Sequence, residues 1–202
     1  MKKSKKNIMK LSVIGIFGSL AFVLMILSIP IVGPYELDFS EVPVMIGAFA
    51  YGPVVGFLIE AIKIFLDVTI GGASKTAYVG ELANFIIGLS FVLPASFIYF
   101  RRKTRKQAII GLAVGVLVMT ITGALMNAFV LLPLYAELWF GDSLSSLLAV
   151  YNFNSLFKFI IFATVPFNLL KGISVSVIIL LIYKRVSMII KAKDSEDFEE
   201  IN

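Results

Sequence analysis

The sequence predicts an all-α integral membrane protein, a bundle of six transmembrane helices with both termini cytoplasmic and a short second helix. Three observations carry this. Of 202 residues, 59% are hydrophobic and only 15% charged, and the mean hydropathy is +0.96. A soluble domain has about half apolar and about a quarter charged residues. Long apolar stretches recur at about the ~20 residues that cross a bilayer core. Finally, 14 of the 18 basic residues fall in three clusters beside those stretches: Lys2 to Lys10, Arg101 to Lys106, and Lys184 to Lys193. Cytoplasmic loops collect Lys and Arg, so all three clusters are expected inside.

The elements follow in order. Helix 1 is expected over 10–30; its apolar run is too long for a signal peptide, and Ser28-Ile29-Pro30 is a poor cleavage site. It runs from inside to outside. The stretch 80–100 must end inside, because Arg101 to Lys106 follow it, so it begins outside. The apolar stretch between them therefore starts and ends outside, which one span cannot do. Tyr51-Gly52-Pro53 is a turn signal inside it. A short helix at 43–51, about 14 Å long, and a longer one at 53–69 resolve the parity. Helices at 108–132 and 157–190 complete a single membrane domain over 1–193. The acidic stretch 194–202 reads as a disordered tail. The outer loops 31–42, 70–79 and 133–156 carry acidic and aromatic residues.

The chain has no cysteine and no histidine. Disulfides, thiolate chemistry, Cys-based metal sites and the commonest general base are thereby excluded. No catalytic or metal-binding residues are expected, and a net charge of +5 that serves topology gives no reason to expect nucleic acid. Gly71-Gly72-Ala73-Ser74-Lys75-Thr76 has a phosphate-loop flavour but lacks the Gly before Lys. No ATPase is expected here.

Polar side chains in apolar helices are costly unless partnered or facing a cavity, so they are functional candidates. Asn168 and Lys171 are three apart and share a helix face after Pro166. They either read the polar edge of a ligand or serve as helix–helix glue and a structural ion pair. The same two readings apply to Asn127. Glu81 lies in the first turn of the helix at 80–100, where the dipole favours an anion; as a ligand acceptor it would act with Asn84. Glu60, Lys63 and Asp67 read as an intrahelical ion-pair ladder. Ser12, Gly15 and Ser19, with Gly18 beside them, form a small-residue face on helix 1, suited to close packing inside the bundle or against another membrane protein.

Asp38-Phe39-Ser40-Glu41-Val42-Pro43, Tyr51-Gly52-Pro53, Gly80-Glu81-Leu82-Ala83-Asn84, Asn127 and Pro166-Phe167-Asn168-Leu169-Leu170-Lys171 together resemble the substrate-binding S-components of energy-coupling factor (ECF) vitamin transporters. The likeness is greatest to the riboflavin-specific members and covers about 10–190. The resemblance implies a multi-pass protein of the bacterial plasma membrane that captures riboflavin outside, with riboflavin as cargo and no cofactor. It implies no hydrolysis by this subunit of the ABC-type importer. Energy would come from a transmembrane coupling protein and two cytoplasmic ATPases, and the subunit would topple in the bilayer to deliver its cargo. Gly15 and Ser19, with Gly18, stand where the family has an Ala-xxx-Ala contact for the coupling protein. For a flavin, Leu37 and Phe39, with Ser40 beside them, would supply walls under a lid at 31–42. Asn127, Asn168 and Lys171 would read the polar ring edge, and Glu81 and Asn84 that edge or the ribityl hydroxyls. The competing expectations are an S-component for another vitamin or heterocycle, an intramembrane enzyme, and a structural membrane protein.

Overall fold

The computed structural model describes residues 2–32, 34–71, 78–141 and 143–199, with side chains over 8–183 in those segments. Residues 72–76 of the phosphate-loop lookalike, Asp142, and most of the N-terminal and all of the C-terminal basic side chains lie outside the described residues. The described chain is almost entirely helical. Its helices are α1 (Lys2–Ile26), α2 (Glu41–Tyr51), α3 (Pro53–Ile70), α4 (Val79–Phe100), α5 (Arg105–Met126), α6 (Leu132–Phe140), α7 (Leu144–Val150), α8 (Leu156–Phe159) and α9 (Val165–Glu199). Two strands, β1 (Ile29–Val32) and β2 (Tyr35–Leu37), form an antiparallel hairpin between α1 and α2.

Among the described residues, four helical runs are long and apolar enough to cross a membrane: Ile8–Ile26, Val79–Phe100, Arg105–Phe140 and Leu156–Tyr183. α3 has 18 residues but carries Glu60, Lys63 and Asp67. The turn at Tyr51-Gly52-Pro53 separates α2 from α3 as expected. Gly52 has φ 102°, a conformation costly for other residues, and Pro53 opens the next helix, where its missing N–H is no loss.

Several boundaries differ from expectation. Helix 1 stops at Ile26 instead of 30, because the residue before Pro30 is biased away from helix, and the chain turns into the hairpin. The expected loop at 31–42 thus begins as sheet, with Pro30 on a two-stranded ribbon where a lost donor is tolerated. The helix expected over 108–132 begins at Arg105 and continues to Phe140 through a π-helical turn, Asn127–Leu131. A second π turn, Ile160–Thr164, joins α8 to α9. In each, an N–H reaches five residues back: Leu132 donates to the Asn127 carbonyl and Val165 to that of Ile160. Both turns precede a proline, Pro133 and Pro166. A proline ring clashes with the carbonyl four residues earlier and donates nothing to it, and widening the helix at that place accommodates both effects. α9 continues as helix to Glu199, through most of the stretch read as a disordered tail. Extending an existing helix avoids the cost of a new nucleus.

α4 and α5 pack most closely. A Cβ on Gly111 would lie 2.5 Å from the Ala95 carbonyl oxygen, and one on Gly115 2.6 Å from that of Phe91, so small residues let the backbones touch. Two apolar clusters result. One, around Met45, Phe49, Ile59, Phe91 and Tyr99, joins α2 to its neighbours, with Phe49 stacked on Tyr99 at 4.2 Å. The other gathers Tyr35, Leu132, Tyr135, Leu147 and Phe159 around the hairpin and the π turns.

Candidate functional site

Between the hairpin and the helices lies a cavity of about 490 Å³. The hairpin supplies Tyr35, buried among aromatic neighbours. Its ring stacks on Phe167 at 4.9 Å and 18°. Its hydroxyl donates to Asn127 Oδ1 at 2.9 Å. With its one hydrogen so used, Tyr35 accepts from the Thr164 hydroxyl at 2.6 Å. Burial pushes this phenol well above its ordinary value, against the opposing pull of Thr164, so it is a neutral hydroxyl across the physiological range.

The π turns explain why those partners meet. Asn127 opens the first and Thr164 closes the second. Each asparagine of the site anchors its amide on the preceding turn: Asn127 Nδ2 donates to the Gly123 carbonyl at 2.8 Å and Asn168 Nδ2 to that of Thr164 at 2.9 Å. Gly123 leaves the room that Asn168 takes; a Cβ there would fall 2.7 Å from Asn168 Oδ1.

Lys171 Nζ lies 2.7 Å from Asp38 Oδ2, tying α9 to the segment that follows the hairpin. Asp38 Oδ1 accepts from the Ser40 backbone N–H at 2.9 Å. Burial alone would raise the Asp38 carboxyl. The charges of Lys171 and Lys63 and these hydrogen bonds outweigh it and hold the group below the usual carboxylate range.

Among the residues singled out in the sequence, Glu81, Asn84, Asn127, Asn168 and Lys171 all line this one cavity. Asn84 Nδ2 meets Met25 Sδ at 3.5 Å. Leu37, Phe39 and Ser40 are not on its wall. Phe39 packs against the first apolar cluster, and Ser40 is buried beside Lys63 Nζ at 3.4 Å. In place of Leu37, Phe39 and Ser40, this segment gives the wall Pro34, Tyr35, Glu36, Asp38 and Glu41. Gly33-Pro34 was a turn signal that could have announced the hairpin and, with it, an inward Tyr35. Phe167 and Asp38 stood inside the quoted motifs, yet only the fold gives them their roles. On α1, Gly15 and Ser19 are exposed, and nothing lies within 4 Å of a Cβ on Gly15. Gly18 is different: a Cβ there would meet the Ile62 side chain of α3. It is an internal packing residue, turned from the open face by helix periodicity, and does not belong to that face.

The ion-pair ladder on α3 is also different from expectation. Lys63 pairs with Glu60 at 2.6 Å, and its other partner is Glu41 of α2 at 2.8 Å rather than Asp67. A residue from another helix is invisible to a periodicity argument.

The family described as "ECF transporter, substrate-specific component" matches residues 9–183. The chain is 34% identical over 180 residues to "Riboflavin transporter FmnP" of Bacillus subtilis (strain 168), covering 88% of this chain and 91% of that one. It is 36% identical over 185 residues to "Riboflavin transporter RibU" of Staphylococcus aureus (strain TCH60), covering 90% and 92%. A solved structure described as "Structure and mechanism of the S component of a bacterial ECF transporter" superimposes with a TM-score of 0.70 at 34% identity, over 92% of this chain and 99% of that one.

Proposed function

The chain belongs to the family of ECF transporter substrate-specific components, and we propose that it is the riboflavin-capturing subunit of such an importer. As a member it is a multi-pass protein of the bacterial plasma membrane and a binding component, not an enzyme. Two relatives that carry riboflavin in their names, each matched over most of both chains, support the substrate.

The observation that carries the reading is the chemistry of the cavity. Its volume falls within the ~300–1,000 Å³ of small-molecule sites, which are apolar with a few convergent polar groups. Tyr35 and Phe167 offer stacked aromatic surface. Asn127, Asn168 and Lys171 lie on the helix side, suited to the carbonyl and imide edge of an isoalloxazine. Glu81 and Asn84, at the start of α4, are suited to ribityl hydroxyls. Lys171 reaches a flavin carbonyl by sharing its ammonium hydrogens between the ligand and Asp38, since it has three to donate.

The topology fits capture from outside. We read α1, α2, α3, α4, the α5–α6 run and the α8–α9 run as six spans. The Arg101–Lys106 cluster supports a cytoplasmic α4–α5 turn, on the same side as both termini. The hairpin and the cavity then face outward. Gly15 and Ser19 are exposed for a membrane-embedded coupling protein, itself driven by two cytoplasmic ATPases.

The test is optical. Protein purified in detergent from riboflavin-containing medium carries flavin absorption near one equivalent, and the flavin-free protein quenches added riboflavin fluorescence. Colourless protein that leaves the fluorescence unchanged would refute the assignment. Quenching by a different heterocycle alone would move the chain to another substrate class.

A further inference from the structure

α3 buries a charged cluster beside the cavity, whose wall one of its members, Glu41, shares. Lys63 is completely enclosed, as is Glu60, and Glu41 is 1% exposed. Lys63 Nζ takes one oxygen of each glutamate, Glu41 Oε1 at 2.8 Å and Glu60 Oε1 at 2.6 Å. The second oxygens, Glu41 Oε2 and Glu60 Oε2, are buried without a hydrogen-bond donor. An ionised carboxylate has about four acceptor positions to satisfy. The two groups also converge. A Cβ on Gly88 of α4 would fall 3.0 Å from Glu41 Oε1 and would clash with Glu60 Oε1, so only glycine fits between them and α4.

Charge makes the same point. The enclosed set comprises Asp38, Glu41 and Glu60 against Lys63 and Lys171. Fully ionised, it carries one uncompensated negative charge in a low-dielectric interior, the arrangement that buried ion pairs tolerate least. The groups facing Glu60 are Glu41 on α2, Lys63 on its own helix and, at longer range, Lys171 on α9. Asp38 acts on Lys63. Asp67 faces Glu81 of α4. Among the described side chains of α1 the titratable one is Lys10, which is exposed.

We propose that Glu41 and Glu60 form a buried proton-binding site: one proton, carried by Glu60, neutralises the cluster and supplies the donor its orphaned oxygens lack. Lys63 remains an ammonium between the two. A metal ion fits the site less well, because among the described residues no three His, Cys, Asp or Glu side chains come together to hold one.

The test is infrared spectroscopy of the full-length protein in detergent at neutral pH. A carbonyl-stretch band of a protonated carboxyl group, shifted in deuterium oxide, is expected in the wild type and absent from Glu60→Gln. That amide copies the shape of the neutral acid. Glu60→Gln therefore melts within a few degrees of the wild type at pH 7, whereas Glu60→Ala is strongly destabilised. Absence of the band, its survival in Glu60→Gln, or melting of Glu60→Gln as low as Glu60→Ala would overturn the proposal. A band that appears only when sodium is removed would overturn it too, by showing that a cation balances the charge.

Discussion

Lys63 and Lys171 each meet carboxylates inside the same bundle, yet their surroundings differ. The Lys63 ammonium is fully enclosed between α2, α3 and α4, with two glutamates on it, one of which, Glu41, also lines the cavity. Lys171 is 12% exposed, pairs with a single aspartate and stands on the cavity wall. The chemistry is the same at both, so exposure decides the role. An enclosed ammonium, off the cavity wall, holds helices together and meets no ligand itself. A pair on a cavity wall keeps donors available to whatever enters. A lysine in an apolar helix therefore points to function only once its wall is known.

Removing Lys63 tests the sealed side and should have the largest effect. Lys63→Ala leaves the buried charge of Glu41 uncompensated, and breaking a buried pair costs about 3–5 kcal/mol. A large drop in melting temperature in detergent is expected; a drop no greater than that of Lys171→Ala would erase the distinction. Lys171→Ala should instead act on binding. Loss of a hydrogen bond from a charged group is worth about 1.5–3 kcal/mol, a fall in riboflavin affinity of roughly ten- to a hundredfold, with the melting temperature of flavin-free protein much less affected. Unchanged affinity in a titration of fluorescence would place Lys171 with Lys63 as a purely structural residue.

Acid sharpens the contrast further. The Asp38 carboxyl is held below its ordinary range, so its contribution is complete above the unfolded value of about 3.9 and is lost as pH falls through the lowered folded value. Melting curves should be insensitive to Asp38→Asn in their pH slope down to about pH 4, with the wild type alone steepening below it. Equal slopes in both proteins below that point would remove Asp38 as the titrating partner. The smallest effect on binding belongs to the exposed face of α1: Gly15→Leu should leave riboflavin affinity unchanged while uptake into cells fails. Lost affinity would mean that the face is not free.

Much of this was legible in the sequence because the bilayer imposes length and charge rules. Parity alone demanded the break at Tyr51-Gly52-Pro53, and Gly52 shows why with its positive φ. Asn127, Asn168 and Lys171 were conspicuous because few polar groups occur in those helices, and they meet at one cavity. What stayed hidden depends on neighbours distant in sequence. Tyr35 is 92 residues from Asn127 and 129 from Thr164, and nothing local distinguishes it from any interfacial tyrosine. Pro133 read as a helix end because a proline usually is one; the π turn before it carries the helix onward to Phe140. Gly18 adjoins the open face in sequence but packs against Ile62 of α3, since one step along a helix turns a side chain by about 100°.

That same angle gives the π turns a further meaning. Each turn contains one residue more than an α-helix needs. In plain α-helix an added residue would turn everything beyond it by about 100°; the wider turn takes up that residue, so α6 keeps its facing. Tyr135, beyond the first turn, thus lines the same cavity as Asn127. Deleting a residue within 128–131 should therefore close the wider turn while leaving α6 facing as before. An insertion elsewhere in these helices would scramble the bundle; at these two places the fold has already absorbed one.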